Sequence, residues 1–365
     1  MFHSKTKFAG TLFGVVFAVV LVNQQLGVFL GLVQKNTMFV DHTQCDVWIT
    51  QAGASAIGPA TPFSIRALTT ARAEFGVAWA EPLLVGGASI RRPDGQDEAV
   101  TLIGAQLPRL AGGPWNMVVG DAAEVLVRPS TLVLEDSQRD ELGGANVGVE
   151  RELNGHRVFV GGFSWGLVPF GAPYAFASYG DAEVLLHMDH AQTNYVLVQS
   201  EAGQNAEELV RRLQRRLPNL EVRTSKELSR DIVEHLLTAT PIGLTFGVSA
   251  LFGLIVGLVI VSLSMFSSVV DNIREFGTLK AIGATNGDLT ALLFAQALAY
   301  AGIGLVIGLF AVTRIAEAIR SPTQALNLSA SLFAGAGAAV VTLCLIASLL
   351  ALLRVRRVEP GIVFR

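Results

Sequence analysis

Four long stretches without Asp, Glu, Lys or Arg limit what this chain can fold into. They cover residues 8–34, 236–270, 289–313 and 321–353, and each exceeds the roughly 20 residues that a helix needs to cross a bilayer. A buried helix of a soluble protein needs only about 10–14 apolar residues and usually shows a polar face. Hydrophobic residues make up 51% of the chain and charged residues 16%. The pattern therefore predicts an α-helical membrane protein with four transmembrane helices.

The first stretch is predicted to stay in the protein as a helix. Lys5 and Lys7 precede it, as in a signal peptide, but its apolar run is longer than the roughly 7–15 residues of a signal sequence and no A-x-A type site ends it. Basic residues near the ends of spans predict orientation. Those expected on the cytoplasmic side are Lys5, Lys7, Arg274, Lys280, Arg354, Arg356, Arg357 and Arg365. The short loop opposite offers Arg314 and Arg320, so both termini are expected in the cytoplasm and residues 35–236 in the periplasm of a cell with two membranes.

The external segment shows two β-α-β patterns that flank a strand-rich middle. In the middle, Gly, Pro and short alternating runs dominate, and Asn154-Gly155 is a strong type I′ hairpin signal. Two interrupted β-α-β units predict a split ferredoxin-like α+β domain with a β-rich insertion. The strands and helices expected in the two units are 46–50, 62–74 and 77–90, then 195–198, 206–217 and 220–222.

These patterns divide the chain into five parts. They are residues 1–34 (N-terminus and first span), 35–92 (first half of the α+β domain), 93–190 (β-rich insertion), 191–235 (second half) and 236–365 (spans two to four with a cytoplasmic helix at about 271–285 and a basic tail). In the second half, Asn205 with Glu208 and Thr224 with Glu227 have the spacing of helix caps. The Thr224 helix is expected to run toward the second span with a kink at Pro241.

The sequence contains no recognisable catalytic motif, and no catalytic, metal or cofactor site is predicted. The G-x-x-x-x-G-K-[ST] loop that binds ATP phosphates does not occur. His187 and His190 lack a second cluster with metal-ligand spacing and are interpreted as surface histidines. Cys45 and Cys344 lie in the external segment and the last span, where they cannot pair. The net charge of −3 gives no general attraction to nucleic acid.

Polar and small residues of the spans are expected to serve helix contacts. The spans hold no ionisable residue, which disfavours a proton- or ion-coupled carrier. Asn23, Gln24 and Gln25 are expected to face other helices, with substrate contact as the alternative. Glycines four residues apart allow backbones to approach closely. These pairs are Gly10/Gly14, Gly27/Gly31, Gly243/Gly247, Gly253/Gly257 and Gly304/Gly308.

Four arginines near the end of the second external helix form a basic face. They are Arg211, Arg212, Arg215 and Arg216. Basic residues at a helix C-terminus complement its dipole and keep the surface solvated, and we favour this interpretation. Binding of anionic lipid is the alternative.

The segment after the second span, residues 271–285, predicts a short amphipathic helix on the cytoplasmic side. Ile273, Phe276 and Leu279 or Lys280 recur three to four residues apart, and Gly283 offers a stop. A short helix at the membrane edge suits docking into a partner's groove. The segment resembles the coupling helix of the FtsX/MacB family of ABC transporter permeases, whose pattern is roughly R-R-x-E-I/F-G-x-L-x-A-x-G-A. The matching residues are Arg274, Glu275, Phe276, Gly277, Leu279, Lys280, Ala281, Gly283 and Ala284.

The resemblance covers the whole chain, including its basic tail at 354–365. In that family the split α+β part is the porter-like subdomain and the insertion is the sabre-like one. Gln25-Leu26-Gly27 and Asp46-Val47-Trp48-Ile49 are most similar to the DevC branch, which has no fused ATPase. The chain begins seven residues before its first span. The resemblance therefore implies a separate ATPase subunit that binds ATP and Mg.

The resemblance also implies mechanotransmission, in which an ATPase dimer closes, the coupling helices move, and long helices carry that motion outside. Implied partners are a second permease copy, a periplasmic membrane-fusion adaptor, a TolC-type outer-membrane channel and membrane lipids. The expected cargo is a lipid, glycolipid, peptide or drug. Two alternatives stay open: an FtsX-like signalling subunit that activates cell-wall hydrolases, and a lipoprotein-release permease.

Overall fold

The computed structural model describes residues 5–53, 57–169, 171–238, 241–271, 273–318 and 329–355. The chain forms two compact units. The helical unit contains Met1–Gly31, Pro241–Arg320 and Ala325–Arg365, and the external domain contains Leu32–Thr240 and Ser321–Gln324. Each unit is described by itself below.

The described secondary structure follows in chain order. The elements are α1 (Lys5–His42), β1 (Val47–Gln51), β2 (Phe63–Ser64), α2 (Arg66–Arg72), β3 (Val77–Arg91), β4 (Asp97–Ala105), β5 (Met117–Val119), α3 (Ala122–Leu126), β6 (Thr131–Glu135), β7 (Glu150–Leu153), β8 (His156–Ser164), β9 (Tyr174–Ser178), α4 (Tyr179–Leu185), β10 (Gln192–Thr193), β11 (Tyr195–Ser200), α5 (Ala206–Arg216), β12 (Leu220–Thr224), α6 (Ser225–Thr238), α7 (Pro241–Asp271), α8 (Ile273–Ala281), α9 (Asn286–Ala318) and α10 (Ala330–Val355).

Within the described residues, four helices are long and apolar enough to cross a membrane, which confirms the predicted number. The candidate spans are Ala9–His42, Gly243–Leu263, Gly287–Ala318 and Ala330–Leu349, which lie in α1, α7, α9 and α10. Their shared core contains Val15, Val261, Ala297 and Val340, and each of these is fully buried. Pro241 is the first residue of α7, where a proline's missing N–H costs nothing. The junction before it, residues 239–240, lies outside the described residues, and so does the predicted kink.

Glycines of α7 and α9 lie where these helices approach α1. The facing pairs are Gly253 with Leu21, Gly257 with Ala18, Gly304 with Val15 and Gly308 with Val19. A Cβ at Gly257 would lie 2.6 Å from the Ala18 methyl, and one at Gly308 would lie 2.6 Å from Val19 Cγ1. Only glycine permits so close a contact, so two of the predicted pairs do serve helix packing.

The external domain contains a ten-stranded sheet. Its order is β12-β1-β11-β3-β4-β9-β6-β8-β5, and β7 pairs with β3 and β8. The first four strands are antiparallel neighbours, in the order expected of two β-α-β units that interlock. α2 and α5 cover one face of these strands through Leu68, Ala71, Leu209 and Leu213. The split α+β fold predicted from the sequence is therefore present.

One long strand joins the α+β part to the insertion. From Val77 to Leu83, β3 pairs with β11, and from Leu83 to Arg91 it pairs with β4. The insertion thus continues the same sheet. The Asn154-Gly155 hairpin is confirmed, since β7 and β8 pair antiparallel and both turn residues have positive φ, 48° and 82°. The proposed boundaries between the parts stay predictions.

Two local predictions differ from the structure. The helix expected over 62–74 is shorter, Arg66–Arg72, because Phe63–Ser64 pairs as a strand with β10. Asn205 caps α5 as predicted by accepting the Glu207 N–H at 2.9 Å. Glu208 does not return to the cap, because its carboxylate pairs with Arg212 one turn later at 3.2 Å.

Candidate functional site: the α8 helix and the α1–α6 joint

The predicted coupling segment forms a short helix, α8, that follows α7. Its backbone carries Arg274, Phe276 and Lys280, whose side chains lie outside the described residues. On the described surface, Glu275 is exposed, Leu279 is 41% exposed and Ile282 is 79% exposed. These three are spaced four and three residues apart and share one face. That face combines a carboxylate with two apolar side chains, which suits contact with another protein.

Glycine ends α8 in the way the sequence predicts. Gly283 has φ +110°, which favours glycine. The Ala284 N–H reaches back to the Leu279 carbonyl at 2.9 Å and the Ile282 N–H to the Thr278 carbonyl at 3.0 Å. The 6→1 bond is that of a Schellman motif, with Gly283 at the left-handed position.

A second cap, which was not predicted from the sequence, starts α9 directly afterwards. The Thr285 N–H donates to Asp288 Oδ2 at 2.8 Å, and the Asp288 N–H donates to Thr285 Oγ1 at 3.2 Å. The spacing T-x-x-D was visible in the sequence, with Asp in place of the usual Glu or Gln. Residues 282–285 connect α8 to α9, and both ends of this short connection are capped. The caps therefore fix where α8 ends and where α9 begins.

The end of α1 lies inside the core of the external domain. Phe39 is fully buried and its ring centroid lies 5.5 Å from Tyr174, 6.1 Å from Trp115 and 6.2 Å from Trp48. The same core contains Leu228 and Ile232 of α6. The end of α1, which contains the first span, and α6, which precedes the second span in the chain, therefore pack against one face of the same sheet.

Hydrogen bonds connect α6 to the end of α1 and to the residues that follow α1. We call this region the α1–α6 joint (residues 39–48 and 224–232). The Ser225 hydroxyl donates to the Cys45 carbonyl at 2.7 Å and accepts from Trp48 Nε1 at 3.2 Å. Ser229 donates to Asp41 Oδ1 at 2.7 Å. Burial raises the pKa of the Cys45 thiol to about 12, so this cysteine stays protonated and serves packing.

The predicted capping box at the start of α6 is confirmed. The Glu227 N–H donates to Thr224 Oγ1 at 3.1 Å, and the Thr224 N–H donates to Glu227 Oε2 at 2.9 Å. These bonds fix the first turn of α6 where β12 ends. The joint therefore has a defined geometry on the α6 side.

The three polar residues singled out in the first span differ in burial. Asn23 is fully buried and its Nδ2 donates to the Val19 carbonyl at 2.8 Å, while its buried Oδ1 has no hydrogen-bond partner among the described residues. Gln24 is exposed and Gln25 is half-buried. Asn23 thus faces the interior of the helical unit, and the roles proposed for the other two stay predictions.

Other residues singled out in the sequence have structural partners. Within the described part of the chain, no group of three or more His, Cys, Asp or Glu side chains is arranged for a metal. His190 pairs with Glu183 at 3.0 Å. Arg212 and Arg216 contact the buried carboxylate of Glu74 at 3.3 and 2.8 Å, so the basic face of α5 is partly neutralised.

Four apolar helices, a large mixed-sheet domain between the first and second, and a short exposed helix between the second and third define a multi-pass membrane component of transporter type. The sequence matches the FtsX-like permease C-terminal domain over residues 247–360 and the MacB-like periplasmic core domain over residues 8–216. The second match alone covers more than half of the chain. The chain belongs to the FtsX/MacB family of ABC transporter permeases, and that membership implies a partner ATPase.

Two solved structures similar to this chain are a periplasmic and an extracellular region of other proteins. The periplasmic region of MacB from Actinobacillus actinomycetemcomitans is 12% identical, with a TM-score of 0.39, and the match covers 55% of this chain and 97% of that one. The extracellular domain of the noncanonic ABC-type transporter YknZ from Gram-positive bacteria is 13% identical, with a TM-score of 0.35, covering 49% and 98%. No curated protein sequence matches this chain significantly.

Proposed function

We propose that this chain is a permease subunit that works by mechanotransmission. A separate ATPase binds ATP and Mg and hydrolyses ATP, and this chain binds neither. The motion it receives drives export of a periplasmic or membrane-derived substrate, such as a lipid, glycolipid, peptide or drug. The chain sits in the bacterial inner membrane with both termini in the cytoplasm and the external domain in the periplasm.

The α1–α6 joint is the observation that carries this proposal. Phe39 of α1 and Ile232 of α6 lie in one buried core with the sheet, and the Ser229–Asp41 hydrogen bond links the helices directly. Close-packed cores transmit displacement because they do not compress. A movement of either helix is therefore passed to the whole sheet, including the insertion that β3 joins to it.

The face of α8 formed by Glu275, Leu279 and Ile282 supports the proposed contact with the ATPase. An apolar pair beside a charge is the composition of a small docking surface. Lys280 and Arg274 belong to the same helix in the sequence and add charge to it. We assign this helix to the ATPase contact.

The complete assembly in this proposal contains two permease copies, a periplasmic adaptor and a TolC-type outer-membrane channel. Membrane lipids surround the spans, and nucleic acid has no part. The large insertion of the external domain supports an adaptor contact, because it adds six strands, β4 to β9, to the α+β part.

Charge reversal on α8 tests the proposal. Glu275→Lys and Lys280→Glu are each expected to lower the stimulation of the co-purified ATPase by about tenfold, because a charge at a docking surface sets partner affinity. Glu317→Lys is the matched control, since Glu317 is an exposed acid at the other end of α9, where it pairs with Arg314 at 3.0 Å. Membrane insertion is checked by solubilisation and size-exclusion chromatography.

Survival of both ATPase stimulation and complex formation in both α8 variants would remove the coupling assignment. The partners that co-purify separate the alternatives. An adaptor and channel support export, a cell-wall hydrolase supports an FtsX-like signalling subunit, and a bound lipoprotein supports a release permease.

A further inference from the structure

One polar side chain of the first span is exposed near the middle of the membrane. Gln24 lies on α1 with its side chain exposed, and its amide makes no hydrogen bond to any residue that the structure describes. The midpoint of the charge-free stretch 8–34 is residue 21, so Gln24 lies about 4.5 Å along the helix from it. Half of the hydrocarbon core is about 15 Å thick. The headgroups are therefore beyond the reach of this side chain.

Lipid tails do not satisfy the Gln24 amide, because hydrocarbon offers neither donors nor acceptors and an amide without a hydrogen bond there is costly. The adjacent Asn23 shows the contrast. It is fully buried inside the helical unit, and its Nδ2 donates to the Val19 carbonyl at 2.8 Å. Gln24 points out of that unit, so the hydrogen bonds that an amide needs in a membrane have to come from another molecule.

Two phenylalanines share the exposed side of α1 with Gln24. Phe13 is 67% exposed, Phe17 is 38% exposed, and their ring centroids lie 6.3 Å apart. The three residues follow one another at spacings of four and seven, which places them on one side of a helix. Val15 and Val19, which contact glycines of α9, lie on the opposite side. We call the surface of Phe13, Phe17 and Gln24 the open face of α1.

The chemistry of the open face favours a second copy of this chain as its occupant. A primary amide has an acceptor oxygen and two donor N–H groups, so it complements a second amide of the same kind. A two-fold axis places one surface patch opposite the same patch of the partner. The open face carries no charge, so a span with an ionised side chain would find no counter-charge there. A second copy supplies an amide and an apolar surface together.

We propose that the open faces of α1 from two copies pack against each other in the membrane, with the two Gln24 amides hydrogen-bonded across the two-fold axis. The assignment rests on the proposed function, which contains two permease copies, and it names the surface that joins them. Because α1 also reaches the core of the external domain at Phe39, a contact between the two α1 helices connects the helices that carry the motion in both copies.

Disulfide trapping in native membranes tests the contact in the full-length chain. The Cα atoms of a disulfide lie about 4.4–6.8 Å apart, so a single cysteine links two copies only where it lies near the two-fold axis. Gln24→Cys is expected to give a covalent dimer on oxidation with copper phenanthroline. The parent chain, whose two cysteines are buried, is expected to give none. Val306→Cys is the control for exposure, since Val306 is 71% exposed on α9 and lies outside the open face.

The role of the amide is tested by energy transfer between labelled copies of the full-length protein in detergent. Gln24→Leu is expected to raise the Kd of the dimer about tenfold, because two interhelical hydrogen bonds are lost. Gln24→Asn retains an amide and is expected to restore most of the affinity. Gln25→Leu is the matched control and leaves Kd unchanged. It removes the same group from a half-buried residue that points about 100° away around the helix.

An unchanged Kd in Gln24→Leu would overturn the proposal, and so would cross-linking of Val306→Cys without cross-linking of Gln24→Cys. If Gln24→Leu stays dimeric but co-purifies with less substrate, Gln24 contacts substrate and the proposal is wrong. If Gln24→Cys does not insert into the membrane, Phe17→Cys on the same face carries the trapping test.

The charge reversals of α8 separate this inference from the proposed function. Glu275→Lys and Lys280→Glu leave the open face of α1 intact, so each is expected to retain the covalent dimer when combined with Gln24→Cys. Unchanged ATPase stimulation in the α8 variants with the covalent dimer retained would remove the coupling assignment alone. Absence of the covalent dimer with the expected loss of stimulation would remove the α1 contact alone.

Discussion

The two units of this chain differ in the size of the side chains that they bury. In the helical unit the fully buried residues are small or medium-sized, such as Val15 and Ala297, and Gly257 and Gly308 lie against Ala18 and Val19 of α1. The external domain is filled by large side chains, and the largest of those with almost no exposure are Trp48, Tyr195, Phe39, Phe163 and Phe176. The units also differ in ion pairs. Of the described pairs, Arg314–Glu317 lies in the helical unit and the others lie in the external domain.

The difference follows from the solvent that each unit faces. Lipid tails are as apolar as leucine, so large side chains gain little by leaving them, and helices associate through close backbone approach. Water rewards the burial of aromatic and aliphatic area, so the external domain gains most from its largest residues. Removing a large side chain should therefore harm the external domain most, and in the helical unit added bulk should harm the contacts of α1 with α7 and α9.

Phe39→Ala is expected to have the largest effect. Truncation of a fully buried phenylalanine removes its contacts with Trp48, Trp115 and Tyr174 and costs about 3–5 kcal/mol of unfolding free energy. All four tryptophans, Trp48, Trp79, Trp115 and Trp165, belong to the external domain, so tryptophan fluorescence during urea unfolding of the full-length protein reports on that unit.

The matched control for Phe39 is Phe75→Ala. Phe75 is 74% exposed, and its loss is expected to change the unfolding free energy by no more than about 0.5 kcal/mol. Similar effects of the two substitutions would mean that the end of α1 is not part of the external core, and the mechanical proposal would lose its basis.

Gly308→Val tests the opposite rule in the helical unit. Its Cβ would lie 2.6 Å from Val19 Cγ1, and overpacking of this kind costs about 1–3 kcal/mol. The expected result is a lower midpoint for thermal loss of the monodisperse peak in detergent. Gly302→Val, on the same helix, meets no atom within 4 Å and is expected to have little effect. Equal loss in both variants would show that residue type, and not contact with α1, decides stability there.

The spans, the hairpin and the start of α6 could be predicted from the sequence, because their signals are local. Charge-free stretches locate the spans, Asn154-Gly155 locates a hairpin, and Thr224 with Glu227 locates the start of α6. Each depends on residues close together in the chain. The same reasoning explains why α8, Ile273–Ala281, lies within the segment 271–285 where a short helix was expected.

Features that depend on distant residues could not be predicted. The pairing of Phe63–Ser64 with β10 shortened α2, and the convergence of Phe39 with Ile232 depends on residues almost 200 positions apart. A cavity of the external domain likewise draws its lining from four separate segments, around Lys35, Glu98, Glu141 and Pro173. At α8, the sequence predicted a short helix over residues 271–285 but did not predict that Ile282 within that segment is 79% exposed.

Thr224→Ala compares the caps of the two units and is expected to cost about 1 kcal/mol of the external domain's stability. Thr224 Oγ1 accepts the Glu227 N–H at 3.1 Å, so its loss leaves a helix N–H without that partner. Thr70→Ala is the control, since Thr70 is a partly exposed mid-helix residue that donates to the Arg66 carbonyl. Thr285→Ala, the equivalent change at α9, should leave the tryptophan transition unchanged; a shift there would contradict the separation of the units.

Glu81→Gln should give the smallest effect, and one that depends on pH. Burial raises the pKa of Glu81, although Arg109, 3.1 Å away, partly offsets that rise. A carboxyl whose folded pKa is raised holds its proton more tightly in the folded state, so the wild type loses stability as pH rises from the unfolded pKa through the folded one. Glutamine does not titrate and retains an acceptor for Arg109. The variant should therefore gain stability relative to the wild type between about pH 4 and 7, near and above the ordinary glutamate pKa of about 4.3. Glu201→Gln, an exposed carboxylate of the same domain, corrects for net charge. If the stability of the variant relative to the wild type falls as pH rises, attraction to Arg109 outweighs the cost of burying the Glu81 carboxylate. The charged carboxylate would then stabilise the external domain, as its buried aromatic residues do.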